Sequence, residues 1–138
     1  MRLRRDEKVE EISRVPLFAH CSKRELAQVA ALADEVELPA DTVLAKEGRS
    51  GHEFFVLLSG RVEVTRDGRS LATLAAGDFF GEIALIHRAP RRATVTAITP
   101  VRVLAVSARD FSPLLSTSPQ IQTKILQALA ERLAPDSL

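Results

Sequence analysis

Apolar residues along this chain follow two different rhythms. Near the start, Val9, Ile12 and Val15 recur at helical spacing and stop at Pro16. Ser22-Lys-Arg-Glu25 then spells a capping box: the serine accepts from an unpaired amide while the glutamate reaches back. Leu26, Val29, Ala30 and Ala33 share one face of the helix it opens. From Val36 the rhythm shortens, and brief apolar runs alternate with turn residues, as in an all-β sandwich or barrel. Val36 and Leu38 precede Pro39-Ala-Asp41; Val43 and Leu44 precede Glu47-Gly48. Phe54 to Leu58 is uninterrupted and predicts a strand covered on both faces. Val62 and Val64 alternate with polar residues up to Asp67-Gly68, the strongest hairpin signal in the chain, and Leu71 to Leu74 returns. Two further strands are predicted over Thr94–Ile98 and Val101–Val106, parted by Thr99-Pro100.

The helical rhythm then resumes. Ser107 caps a short helix through Phe111 and Leu115, and Ser118-Pro119 starts another. Ile121, Ile125, Leu126, Leu129 and Leu133 form its expected apolar stripe, and Pro135 closes it. The order is helices at about 5–33, some eight short strands at about 35–107, and helices at about 107–134. No internal repeat, low-complexity segment or long linker divides it, so residues 1–138 read as one domain.

One stretch breaks the strand pattern: FFGEIALIHRAPRRATV, Phe79 to Val95. Gly81 permits a tight backbone, Glu82 to His87 make a turn or two of helix, and Ala89-Pro90 ends it. A short helix between strands presents backbone N–H groups without helical partners. Those amides attract anions, and Arg91 lies a few residues away with a guanidinium fork suited to two phosphate oxygens. Glu82 is the oddity, because a carboxylate repels a phosphate. A ligand carrying both a phosphate and a nearby hydroxyl reconciles them: the arginine holds one and the glutamate accepts from the other. That describes a ribose phosphate, with strand side chains to cover its base. Singly, each residue has a plainer explanation: Glu82 as a first-turn acid favoured by the helix dipole, Arg91 and Arg92 as solvated loop residues, or Glu82 paired with Arg91. The combination at this spacing points to a site for Glu82 and Arg91.

Composition narrows the alternatives. The chain has 138 residues, 46% hydrophobic and 27% charged, with a formal net charge of +1. That balance argues against direct nucleic-acid binding. The single cysteine, Cys21, allows no internal disulfide, the charged first residues lack a signal-peptide core, and no apolar run reaches membrane-spanning length. A soluble cytoplasmic protein without membrane contact is expected. His20, His52 and His87 are scattered without metal-ligand spacing, and no Ser/His/Asp grouping has a nucleophile's context, so neither a metal nor catalytic activity is expected.

Phe80-Gly-Glu-Ile-Ala-Leu-Ile86 with Pro90-Arg-Arg-Ala-Thr-Val95 resembles the phosphate-binding cassette of the cyclic nucleotide-binding domain family. Val15-Pro-Leu-Phe18, Ser22 to Leu26, Glu47-Gly48 and Phe54 to Gly60 extend the resemblance over nearly the whole chain. It implies a mainly β fold, a jelly-roll-like β-roll (double-stranded β-helix) with the cassette at about 80–95, N-terminal helices, a short cassette helix and two C-terminal helices. It implies that Glu82 binds the ribose 2′-hydroxyl, that Gly81 allows close approach, and that Arg91 pairs with the cyclic phosphate. Backbone amides around Ile83, Ala84, Arg92 and Ala93 would complete the cradle, and the last helix would move as a lid. Arg92 stands where many cGMP binders carry Thr or Ser, which favours cAMP over cGMP. The implied role is that of a regulatory sensor without cofactor, acting on an unidentified effector or attached domain. Packing of the last helix against a second copy is an open option. The competing reading is a structural or dimerisation module with an unused or repurposed pocket.

Overall fold

A computed structural model describes residues 5–133. Its elements are helices α1 (Arg5–Ser13) and α2 (Lys23–Leu32), strands β1 (Asp34–Leu38), β2 (Val43–Ala45), β3 (Glu53–Ser59), β4 (Val62–Arg66), β5 (Arg69–Leu74) and β6 (Phe79–Phe80), helix α3 (Glu82–His87), strands β7 (Thr94–Ala97) and β8 (Val101–Ser107), and helices α4 (Ala108–Thr117) and α5 (Pro119–Leu133). A single 3₁₀ turn, Pro16–Phe18, joins the first two helices. The strands form two antiparallel sheets, ordered β1-β8-β3-β6 and β2-β7-β4-β5. This is the mainly β architecture with flanking helices that the strand rhythm and the resemblance lead one to expect. Among the described residues no helix is long and apolar enough to cross a membrane.

Local chemistry explains the element ends. The Glu25 amide donates to Ser22 Oγ at 3.1 Å and the Ser22 amide to Glu25 Oε1 at 2.8 Å, completing the capping box of α2. Asp67 and Gly68 both take positive φ, 52° and 78°, which matches the twist of the β4–β5 hairpin. Asp41 also sits at positive φ, 70°, in the turn between β1 and β2. The Asp110 amide donates to Ser107 Oγ at 3.2 Å and caps α4.

β3 is covered on both faces. Phe54 and Val56, paired in register with Val106 and Leu104 of β8, pack under the helical layer with Ile12, Phe18, Val29, Phe111, Leu114, Ile121 and Ile125. Phe55 and Leu57, with Val101, Val103 and Ala105, face Val62, Val95 and Ala97 of the second sheet. Two details differ from the sequence pattern. Phe79-Phe80 is a short strand against Phe55 and Val56, an element hidden by the cassette motif that follows it. The α5 stripe splits: Ile121 and Ile125 are buried, whereas Leu126 is 55% exposed because it lies one residue, about 100°, around the helix from Ile125. Pro135 lies outside the described residues.

Candidate functional site

The segment from Gly81 to Ala93 runs from the first sheet to the second, leaving β6 and entering β7. Gly81 makes the first bend, at φ 101°. A Cβ there would stand 2.7 Å from the Glu53 carbonyl oxygen and 2.9 Å from Arg91 Nη1, so both the conformation and the space demand glycine. α3 follows and ends where Arg88 turns left-handed, at φ 53°. The chain then reaches Arg91, whose backbone is pinned from both sides: its N–H donates to Arg49 O at 2.7 Å, and its carbonyl accepts from the Gly48 N–H at 2.8 Å. The Glu47-Gly48 turn therefore sets the height of the Arg91 side chain.

A cavity of about 420 Å³ opens beside this segment, within the size range of small-molecule sites. Gly81, Glu82, Ile83, Ala84, Arg91, Arg92 and Ala93 all line it, so the fold brings together every residue singled out in the sequence. Ala45, Val64, Leu71, Ala72, Leu74, Phe80 and Val95 supply an apolar wall, mostly from the second sheet. A larger hollow, about 640 Å³, lies across α3 against α4, with Leu85, Ile86, Phe111 and Leu115 in its lining. Among the described residues, Arg88 is the sole charged one lining that hollow, and the chemistry gathers on the other side.

Of the charged residues bordering the smaller cavity, Arg91 and Glu82 are held in different ways. Arg91 Nη1 donates to Gly81 O at 3.2 Å and Nη2 to Glu53 O at 2.7 Å. Its guanidinium is thus oriented by carbonyl dipoles and enters no ion pair among the described residues. Burial pulls its pKa down, opposed by the nearby charges of Glu53 and Glu82. Gly51 packs beneath it, where a Cβ would meet Arg91 Cζ at 2.7 Å. Glu82, by contrast, is 1% exposed and paired. Its partner is Arg132 of α5, whose Nη1 donates to Glu82 Oε1. The Ile83 N–H donates to Glu82 Oε2 at 3.2 Å, so that amide is already engaged by the neighbouring carboxylate. Burial raises the pKa of Glu82, and Arg132 and the local amides hold it back.

Arg132 is the residue that sequence reasoning missed. It lies 50 positions beyond Glu82, in the last turn of α5, where an arginine reads as an ordinary complement to the helix dipole. Its Nη2 also donates to Phe79 O at 2.8 Å, and its guanidinium stands 5.2 Å from the centre of the Phe79 ring. The direct Glu82–Arg91 pair weighed from the sequence does not form. Arg92 is exposed; its carbonyl accepts from Arg66 Nε at 2.8 Å, and this bond ties the cassette to the end of β4.

Comparison with known proteins gives a consistent result. The family model described as "Cyclic nucleotide-binding domain" matches residues 35–118. A cyclic nucleotide-gated potassium channel of Rhizobium etli is 37% identical over 121 residues, covering 88% of this chain and 34% of the channel. A cAMP-dependent protein kinase regulatory subunit of Yarrowia lipolytica is 39% identical over 107 residues, 75% of this chain and 28% of that one. The catabolite activator protein of Thermus thermophilus superposes with a TM-score of 0.77 at 26% identity, over 87% of this chain and 59% of its own. The chain spans about a third of the length of these two curated relatives.

Proposed function

The chain belongs to the cyclic nucleotide-binding domain family, and we propose that it is a sensor module that binds a cyclic nucleotide, cAMP in preference to cGMP, in the 420 Å³ cavity. In this reading Arg91 takes the cyclic phosphate through N–H donors not used on Gly81 and Glu53, with amides of the cassette completing the cradle. Glu82 accepts from the ribose 2′-hydroxyl, and the base lies against Val64, Leu74 and Val95. No Thr or Ser hydroxyl follows Arg91, which is the basis for preferring cAMP. The ligand's contacts to cassette and α5 together would bias the position of that helix and pass the signal to an effector or an attached domain, since a ligand shifts an equilibrium only by its differential affinity.

The observation that carries this reading is the half-buried Arg91 guanidinium, oriented by two carbonyls and left without an ion-pair partner among the described residues. A desolvated cation held ready at a cavity wall suits an anionic group of the right size. Titration calorimetry with cAMP and with cGMP tests it. The expected result is micromolar or tighter binding of cAMP and weaker binding of cGMP. Arg91→Ala should weaken cAMP about 10- to 100-fold, the worth of one charge-assisted bond or more. No heat with either nucleotide, or equal affinities for wild type and Arg91→Ala, would return the domain to a purely structural role.

A further inference from the structure

Arg66, the last residue of β4, lies 26 positions before the cassette arm that it touches. It is partly buried and borders the cavity. Its Nε donates to the Arg92 carbonyl at 2.8 Å. One residue earlier, the Arg91 carbonyl accepts from the Gly48 N–H at 2.8 Å; two residues later, Thr94 pairs with Thr65 in the β4–β7 ladder. The peptides after Arg91 and Arg92 are trans, so each amide points away from the group that its carbonyl faces. The donors on those two carbonyls therefore set the directions of the Arg92 and Ala93 N–H groups. Neither N–H donates to a described residue. A second link steadies the same corner: the Asp67 N–H donates to the Glu47 carboxylate at 3.3 Å, and the Glu47 N–H donates to Thr94 Oγ1 at 3.1 Å. Hairpin, β2–β3 loop and cassette arm thus form a closed circuit of bonds.

We propose, building on the function above, that Arg66 is a positioning residue for the ligand's phosphate. By holding the Arg92 carbonyl it fixes the peptide that carries the Ala93 amide, and so sets two successive donors beside the Arg91 guanidinium. Successive backbone amides of fixed direction suit the oxygens of one anion. Arg66 acts through Arg92, by the bond from its Nε, and the ligand does not depend on its charge. The same bond joins β4, whose Val64 stands in the apolar wall, to the arm that takes the phosphate. Wall and phosphate cradle are thereby kept in one register.

The test is binding of cAMP and its two phosphorothioate diastereomers, in which sulfur replaces one or the other exocyclic oxygen. The whole chain is compared as wild type, Arg66→Met and Arg66→Gln. Glutamine carries an N–H donor the same number of bonds from the backbone as Arg66 Nε, without the charge; methionine matches the length without a donor. The expected result is that Arg66→Met weakens cAMP about 3- to 10-fold and lowers the preference between the diastereomers about threefold. Arg66→Gln recovers most of both. Without nucleotide, both variants should unfold in urea at the wild-type midpoint. Unchanged cAMP affinity in Arg66→Met would overturn the proposal. A Gln variant as weak as the Met variant would overturn it too, because the charge would then act on the ligand directly. Weaker cAMP binding with the diastereomer preference intact, or a lowered midpoint, would make Arg66 a structural strut. A wild type that binds both diastereomers alike would have no directed donors for Arg66 to serve. Should the wild type bind no cyclic nucleotide at all, the functional reading itself falls and takes this one with it.

Discussion

The two faces of β3 support opposite kinds of environment. On the helical side, Phe54 packs its ring against Phe79 and Phe111, with centroids 5.6 and 5.2 Å apart, in a cluster of buried apolar side chains. On the other side, Phe55 and Leu57 look into the roll. There the opposing sheet carries an outer edge, β5, that is exposed along most of its length, and the cassette holds a buried carboxylate and a half-buried guanidinium. One layer is packed for cohesion, and the other borders a cavity with desolvated charged groups. The proposed sensor would need this division, because a helix can shift without unfolding the molecule only if most of the stability lies elsewhere. Phe79 joins the two regions, with its ring packed near both Phe54 and the Arg132 guanidinium.

The sharpest way to break the comparison is to remove Phe54. It is fully buried and central to the apolar cluster, so Phe54→Ala should cost about 3–5 kcal/mol of stability. Urea unfolding would register this as a lowered midpoint at similar slope. Under conditions where the variant remains folded, its affinity for cAMP should stay within about threefold of wild type. A large loss of affinity with little loss of stability would mean that the division between the layers is false.

Next in size is the cap of α2, which lies in the helical layer and contributes nothing to the cavity lining. Ser22→Ala removes one acceptor for the Glu25 amide and half of the reciprocal pair. The expected loss is about 1 kcal/mol, again by urea unfolding, with cAMP affinity unchanged. An altered affinity would show that the helical layer communicates with the cassette even at its far end.

Much of this division is readable from periodicity, because a strand covered on both faces and a helix with one apolar face leave different marks. The uninterrupted Phe54–Leu58 run, the Asp67-Gly68 turn and the capping box each have a local cause and each appears where expected. So does the convergence of Glu82 and Arg91, since both belong to one short segment. What periodicity does not carry is the partner of a buried charge. The Glu82–Arg132 pair depends on where α5 points after the turn at Ser118, and that direction is set by packing of Ile121 and Ile125 on the helical layer. Gly51 is a similar case: its need to be glycine comes from Ala84 and the Arg91 guanidinium, 33 and 40 residues on, which leave no room for a Cβ. The exposure of Leu126 follows from the same helix orientation, which apolar spacing alone leaves undetermined.

The smallest effect, and the one that separates the layers most cleanly, is the response to pH. Desolvation raises the pKa of Glu82 above its ordinary value of 4.5, and Arg132 with the local amides opposes it without cancelling it. The native state therefore holds this proton more tightly than the unfolded chain does. Between 4.5 and the raised native value the folded protein binds more protons, so the contribution of Glu82 to stability falls as pH rises through that window, then levels off. Glu82→Gln removes the titration. Subtracting its stability from that of the wild type, by urea unfolding from about pH 4 to 8, should give a difference that declines across the window and is flat above it. The corresponding difference for Phe54→Ala, which removes no charge, should be level throughout. Affinity for cAMP should run the other way, strengthening as Glu82 ionises, because in the proposed binding mode the ribose hydroxyl donates to the anion. A flat difference for Glu82→Gln would mean that Arg132 and the local amides fully offset the burial of the carboxylate, and the contrast between an apolar layer and one holding an uncompensated charge would be lost.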